Sequence, residues 1–246
     1  MKTSLVFCSL IFLISTVNAQ FIPTPSMQSD FKEIAKFSGR QNGYEAVQTY
    51  SSGNIKGSQF FFQGFTDGSV TTTNNEVLKG IYQFLFDKVR QEFFIISKSD
   101  KRDPPEVLLA EKSQVKSFTL LTDRDHLFVP ARTYDPANTV DFYEVLEKDD
   151  SGYTLLKSIK TTFVKFDNRD IEKIKRGDFY DEFVDKITYY ISYKSSKPQS
   201  ISLKKRNMIN AFPEAKKAAV QSFQEDHSQD DANEQYLINL VQAVNK

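Results

Sequence analysis

The chain has 246 residues, with 32 basic and 32 acidic side chains and a mean hydropathy of −0.45. This charge balance argues against a nucleic-acid-binding protein, because such domains are usually basic. The 22 phenylalanines and 11 tyrosines, without any tryptophan, supply enough apolar surface for one core. At the usual size of a domain, the length predicts one domain, or one domain with a small helical appendage.

Residues 1–19 have the pattern of a cleavable secretory signal. Lys2 gives a positive start, residues 5–14 form a short apolar run, and Val17-Asn18-Ala19 offers modest side chains to a signal peptidase. The run is too short to cross a bilayer, which takes about 20 apolar residues. We therefore expect cleavage between Ala19 and Gln20 and no transmembrane segment in the mature chain.

The cysteine content points to the compartment. Cys8 is the only cysteine and lies within the signal, so the mature protein has no thiol and no disulfide. Small secreted eukaryotic domains often depend on disulfides, and no asparagine here begins an Asn-x-Ser/Thr glycosylation site. These features favour a bacterial protein in the periplasm or outside the cell, soluble or peripherally associated with the envelope.

Residues 20–57 are predicted to form a helix followed by a loop. Four apolar residues recur at helical spacing between Pro25 and Ser38, namely Met27, Phe31, Ile34 and Phe37. The following stretch is rich in Gly, Asn, Gln and Ser, which favours a loop.

Residues 58–203 carry the period of two that is typical of strands. We expect the aromatic run 59–65 and the segment 70–73 to form a hairpin through Asp67-Gly68. One further strand is expected to place five residues on one face: Leu78, Gly80, Tyr82, Phe84 and Phe86. Additional strands are expected at 92–96, 106–110, 115–121 and 126–129.

The second half of this β-rich domain contains a long predicted hairpin. Segments 140–147 and 153–166 flank the turn sequence 148–152, and a highly charged loop is expected at 167–183, including Arg-Gly-Asp at 176–178. A last strand pair is predicted at 186–194 and 199–203. Alternation there would turn Ile187, Tyr189, Ile191 and Tyr193 towards the core.

Residues 204–246 return to helical spacing. Helices are expected at 205–212 and 214–223, and Asp230 and Asp231 are candidate N-caps for a final helix with an apolar stripe. The stripe consists of Leu237, Leu240, Val241 and Val244. Strands followed by helices predict an α+β fold, with a mainly antiparallel, curved or two-layer sheet and C-terminal helices packed on it.

The segment from Thr161 to Pro213 has recognisable features. A strand pair around 189–193 leads through Lys204-Lys205 into a helix that ends in Phe212-Pro213, and the signal ends in Ala19-Gln20. In these features, and loosely in residues 78–87, the chain resembles exported proteins of Bacteroidota of unknown function. The resemblance implies export and a β-rich fold, and it supplies no catalytic residues.

Few residues suggest catalysis. His126 follows Asp123-Arg124-Asp125, which favours a turn into a strand over a metal site, because alternation separates Asp125 from His126. His227 lies near Asp230 and Asp231 in a linker. The chain has no Gly-x-Ser-x-Gly elbow and no phosphate-binding glycine loop. We therefore predict no metal and no cofactor, and leave an envelope hydrolase with two carboxylates as a third possibility.

The aromatic concentration in the first β segments has two interpretations. Core packing is the favoured one. The alternative is an apolar cleft, with Phe60, Phe62, Phe84 and Phe86 as the binding residues for a lipid-like ligand. As a whole, the sequence favours a non-enzymatic exported protein that binds an envelope or surface protein, and a carrier or sensor of an apolar ligand is the alternative.

Overall fold

The computed structural model describes residues 55–102, 105–139 and 141–246. The predicted signal, with its cleavage site between Ala19 and Gln20, and the predicted helix at 25–38 lie outside these ranges. Within them the chain forms an α+β fold with a large, mostly antiparallel sheet, a small antiparallel sheet and C-terminal helices. The predicted fold class is confirmed.

Nine strands form the large sheet, and three form the small one. The strands are β1 (Ile55–Lys56), β2 (Gly68–Thr72), β3 (Val77–Lys79), β4 (Tyr82–Asp87), β5 (Glu92–Ser97), β6 (Leu108–Leu109), β7 (Val115–Leu121), β8 (Asp125–Pro130), β9 (Phe142–Glu147), β10 (Tyr153–Val164), β11 (Asp181–Tyr193) and β12 (Gln199–Ile201). The large sheet has the order β1-β11-β10-β9-β8-β7-β2-β3, with β12 also paired to β11, and the small sheet has the order β4-β5-β6.

Four α-helices lie in the described ranges. They are α1 (Ile171–Arg176), α2 (Lys205–Met208), α3 (Glu214–Asp226) and α4 (Glu234–Asn245). The predicted stripe on α4 is confirmed, since all four of its residues are buried. The cap is different from the prediction: Asn233, rather than Asp230 or Asp231, accepts the backbone N–H of Tyr236.

The first β segments differ from the prediction. The aromatic run makes one isolated bridge, of Phe60 with Asp87, and Thr66 just after it makes another with Phe84. Gly68 lies inside β2 rather than in a turn, and the hairpin turns instead before β3, near Asn75. A Cβ on Gly68 would collide with the carbonyl oxygen of Thr119. Close strand approach, and not turn conformation, therefore explains this glycine.

The predicted strand through residues 78–86 is broken at Gly80. This residue has a φ of +77°, which few side chains adopt. The break puts Leu78 in the large sheet and Tyr82, Phe84 and Phe86 in the small sheet. The chain therefore changes sheets at this glycine, so that the five residues do not share one strand face.

The long hairpin of β9 and β10 is confirmed, and its partner β11 is longer than predicted. The charged loop expected at 167–183 contains α1, and β11 already begins at Asp181. Ile187 and Tyr193 are about half exposed, while Tyr189 and Ile191 are buried. The prediction of a core-facing row was therefore right for its two middle residues only.

Two hydrophobic cores share one face of the large sheet, which we call the inner face. A row of directly opposed residues crosses β7 to β12 on this face: Phe118, Phe128, Glu144, Lys157, Tyr189 and Ile201. The first two belong to a core under the small sheet, drawn from residues 61–142. The last two belong to a core under the C-terminal helices, drawn from residues 146–244. A polar pair therefore lies between the cores.

Gln91 joins the small sheet to the large one. It lies in the β4–β5 turn with a φ of +55°. Its Nε2 donates to the carbonyl oxygens of Lys88 and Ile159, both at 2.9 Å, and its Oε1 accepts the backbone N–H of Phe142 at 3.1 Å. The side chain thereby hydrogen-bonds to backbone groups of three segments and ties the turn to β9 and β10.

Candidate functional site

The four aromatic residues predicted as ligand contacts occupy two different environments. Phe84 and Phe86 are almost completely buried in the core under the small sheet. Phe84 stacks on Phe93 with ring centroids 5.4 Å apart, and the ring centroids of Phe86 and Phe128 are 5.1 Å apart. Phe60 and Phe62 are only partly buried. Protein rings thus surround the first two, as the core-packing interpretation predicts.

A polar seam lies between the two cores, with Glu144 at its centre. The seam consists of Arg124, His126, Glu144, Lys157, Tyr189 and Glu234. The Glu144 side chain is 2% exposed, and its Oε1 lies 2.7 Å from Nδ1 of His126. The Arg124 guanidinium is 3.3 Å from the same oxygen, and the Lys157 ammonium is 3.4 Å from Oε2. The rings of Phe61 and Phe62 are roughly perpendicular to the imidazole, with ring centroids 5.1 and 5.3 Å from its own. Rings and cations therefore enclose this carboxylate and limit its access to solvent.

Helix α4 completes the seam through Glu234. Its carboxylate lies 2.8 Å from Lys157 Nζ, accepts the phenol of Tyr189 at 3.0 Å, and contacts Arg124 at 3.4 Å. Burial alone would raise the pKa of Glu234, but these donors outweigh it and the pKa lies below its usual value. Burial and the adjacent carboxylate raise the pKa of Tyr189 above that of an ordinary phenol.

This seam is a structural network. The Nε2 of His126 is buried and makes no hydrogen bond, and a carboxylate oxygen of Asp123 lies 3.6 Å from it. Asp125 is exposed and His126 is buried, as strand alternation predicted. Across residues 55–102, 105–139 and 141–246, no cluster of His, Cys, Asp or Glu side chains has the arrangement of a metal site. The charges here connect the strands to α4.

Cavities of about 590 and 380 Å³ are among those that open on the surface of the described chain. The larger contains Lys112 and Arg132 beside Glu92 and Glu111. Burial lowers the pKa of Lys112, whose Nζ donates to the carbonyl oxygen of Arg90 at 3.2 Å. Arg132 donates to backbone carbonyls as well. Both cations are thus used by backbone groups, which makes this cavity a weak candidate for ligand binding.

A projecting part of the large sheet has a different character. Beyond the short pairing of β9 with β10, which ends at Lys157, strands β10 and β11 continue as a ribbon that is two-stranded up to its far end, where β1 pairs with Asp181 and Glu182. We call residues 162–188 the arm, which consists of the ribbon, α1 and their connections.

No helix in the described part of the chain is both long and apolar enough to cross a bilayer.

Specific contacts hold the arm in place. Lys88, from the β4–β5 turn, reaches Asp185 at 2.7 Å, and Asp185 also accepts the hydroxyl of Thr161. The rings of Phe163 and Phe183 pair across the ribbon at 4.9 Å. An isolated two-stranded hairpin is marginally stable in water, so contacts of this kind are what keep the ribbon extended.

The arm exposes most of the large apolar side chains that the described protein shows to solvent. Ten such residues are exposed, and six lie in the arm: Val164, Ile171, Ile174, Phe179, Val184 and Ile187. Phe179 is 56% exposed and Ile171 is 64% exposed. Single exposed apolar residues are normal, but six of the ten lie in this one segment, which makes the arm the candidate interaction surface of the described chain.

The charges of the arm are locally paired. Arg169 lies 3.1 Å from Asp167, Lys175 lies 3.6 Å from Glu172, and Arg176 lies 2.9 Å from Asp178. Gly177 ends α1 in the left-handed conformation. The Arg-Gly-Asp sequence therefore serves as the end of a helix.

Sequence patterns indicated neither the seam nor the arm as a site. The signal for the seam was a charged residue among the apolar residues of each of two strands, Glu144 in β9 and Lys157 in β10, at positions that the hairpin places opposite each other. The signal for the arm was weaker, since its alternation is interrupted by charges.

Comparisons of the chain with protein-family models, curated proteins and solved structures gave no match. The resemblance to exported proteins of Bacteroidota therefore stays a prediction.

Proposed function

We propose that this chain is a non-enzymatic exported protein of the bacterial envelope or surface, which binds a protein partner through the arm. Export rests on the sequence of residues 1–19, and the binding role rests on the arm. The observation that carries the proposal is the concentration of six exposed large apolar side chains in residues 162–188.

A protein partner fits the arm better than a lipid surface does. Binding to anionic lipids requires an excess of Lys and Arg, but residues 162–188 contain six basic and seven acidic side chains. Apolar residues among paired charges are the arrangement found in protein interfaces, where an apolar centre has a polar rim. The ion pairs around α1 supply such a rim for Ile171 and Ile174.

The carrier of an apolar ligand is the weaker proposal. Phe84 and Phe86 pack against other rings of the core, so a ligand would have to displace protein contacts there. Phe60 and Phe62 are the two predicted residues that retain accessible surface. Native mass spectrometry tests this alternative, since a co-purifying lipid would support it and a clean apo mass would count against it.

Photo-crosslinking in cells tests the protein-binding proposal. A benzoyl-phenylalanine is placed at Phe179 in the arm and, as the control, at Val77, which is 53% exposed in the edge strand β3. We expect a discrete protein adduct from position 179 and none from position 77. If only lipid adducts formed, the arm would bind a membrane rather than a protein, and the proposal of a protein partner would be wrong. Equal adducts from both positions, or none from either, would refute the proposal.

The export part has its own measurement. The intact mass of the protein from the periplasm or medium should correspond to a chain that begins at Gln20, or to its pyroglutamate form. Recovery of the full chain from the cytoplasm alone would contradict export.

A further inference from the structure

The outer edge of β11 has a gap in its pairing. Near the start of the strand, β1 pairs with Asp181 and Glu182 in parallel orientation. Near its end, β12 pairs with residues 189–191 in antiparallel orientation. Between these two short strands, no strand of the described chain pairs with this edge along residues 184–188. The gap would hold about five residues, or about 17 Å at the usual rise per residue.

The backbone at the gap is regular. The pairing of β10 with β11 runs from Tyr153 and Tyr193 to Val164 and Glu182 in a single register without a bulge. Bulges and twists are common devices that prevent a sheet edge from pairing with another chain. Here the β10–β11 ladder has no bulge, and strands already pair with this edge on both sides of the gap.

The side chains at the gap are accessible on both faces of the ribbon. Four successive residues of β11, numbers 184–187, are exposed. Successive side chains in a strand point to opposite faces, so both faces carry exposed side chains here, although Lys88 contacts Asp185 on the inner face. Val184 and Ile187 are 44% and 47% exposed, and Ile187 lies on the inner face, two residues from the buried Tyr189.

The charges at the gap favour an acidic neighbour. Lys186 lies directly opposite Lys160 on the outer face. Asp141 is 2.7 Å from Lys160, whereas Lys186 makes no ion pair with the described chain. Like charges opposed across strands are destabilising, and an acidic side chain on a further strand beside Lys186 would relieve this repulsion.

We infer that the partner adds an extended strand to β11 at residues 184–188, with an acidic side chain beside Lys186 and an apolar one beside Ile187. This inference rests on the proposed function and specifies its mode of binding. Main-chain hydrogen bonds give such a strand its affinity, and the alternating side chains give it specificity. Lys186 alone would also serve as protection against edge pairing, but Val184 and Ile187 add apolar surface on both faces of the same edge.

The first test uses a synthetic peptide as the probe. Acetyl-Thr-Val-Glu-Val-Glu-Val-Thr-amide is titrated into isotope-labelled mature protein and followed by NMR. The matched control is the same peptide with N-methyl groups on alternate backbone nitrogens, which keeps the side chains but removes donors. We expect shift changes confined to the amides of β11 at and around the gap, and binding at least about tenfold weaker for the methylated peptide, the loss that about 1.4 kcal/mol corresponds to.

Charge reversal gives the second test. A second peptide carries lysine in place of both glutamates. The Lys186→Glu variant should bind this lysine peptide about tenfold more tightly than the glutamate peptide. Lys79→Glu, in the other edge strand β3, should leave the original preference unchanged. Absence of binding, shift changes elsewhere, or equal affinity for the methylated peptide would overturn the inference.

The two proposals fail in different ways. A protein crosslinked at Phe179, together with no peptide binding at the gap, would support the proposed function but refute the inference that the partner adds a strand to β11. A dimer in analytical ultracentrifugation that Lys186→Glu weakens would replace the partner with a second copy of this chain, and would overturn the inference as stated.

Discussion

Replacing Glu144 with glutamine removes the negative charge on which three cations or potential cations converge. His126, Arg124 and Lys157 lie 2.7, 3.3 and 3.4 Å from its carboxylate, which is 2% exposed. Breaking a buried ion pair from one side costs about 3–5 kcal/mol, because the other charge is left without compensation. Lys157 keeps Glu234 at 2.8 Å, so we expect the lower end, a loss of about 3 kcal/mol in the free energy of unfolding.

Urea and thermal denaturation at neutral pH measure this loss. For a domain of this size, 1 kcal/mol shifts the Tm by roughly 2–4 °C, so Glu144→Gln should lower the Tm by about 6–12 °C. The control is Glu214→Gln, since Glu214 is 88% exposed in an ion pair with Lys217. Exposed pairs contribute about 0–1 kcal/mol, so the control should unfold nearly as the wild type does.

A double-mutant cycle with Lys157→Met separates the charge pair from general disruption. If the two side chains interact as the structure indicates, the double variant should be more stable than the sum of the two single losses predicts, by about 1 kcal/mol or more. A loss below about 1 kcal/mol for Glu144→Gln, or simple additivity in the cycle, would show that the seam is not an electrostatic network.

Two further outcomes follow from the packing. Gly68→Ala should destabilise the protein by about 1–3 kcal/mol or more, because its Cβ would collide with the Thr119 carbonyl, whereas Gly64→Ala has open space and should unfold like the wild type; equal unfolding curves for the two variants would contradict this. Burial raises the pKa of several tyrosines, Tyr189 and Tyr134 among them. Raised values stabilise the fold below the ordinary phenol pKa of about 10, and the effect is lost as the pH rises through them. At pH about 11 the absorbance at about 295 nm should therefore rise less in native than in unfolded protein, and equal rises would refute the burial argument.

The sequence predicted those elements in which local pattern and tertiary packing agree. Helix α4 shows this clearly, since its stripe of Leu237, Leu240, Val241 and Val244 is buried as expected. The β9–β10 hairpin is another case, because its apolar segments flank a turn in which Asp149 accepts the backbone N–H groups of Ser151 and Gly152. Such local signals do not depend on which distant segments the element contacts.

The errors occur where a distant contact decides the structure. Asp67-Gly68 is a common turn sequence, but Gly68 is needed for the close approach of β2 to the Thr119 carbonyl. The first part of β11 lacks alternation because the arm is exposed on both faces, so no face selects apolar residues there. The seam was missed because Glu144 and Lys157 become neighbours only through the register of the hairpin.

The two cores are also separated along the chain. Among the described residues, the core under the small sheet lies between positions 61 and 142, and the core under the helices lies between 146 and 244. Chains are synthesised from the N-terminus, so the first core can be completed while about 100 residues are still missing. At that point β9, which contains Glu144, has been synthesised, but Lys157 in β10 has not. The polar seam is therefore the boundary between the part of the protein that is synthesised first and the part that is synthesised later.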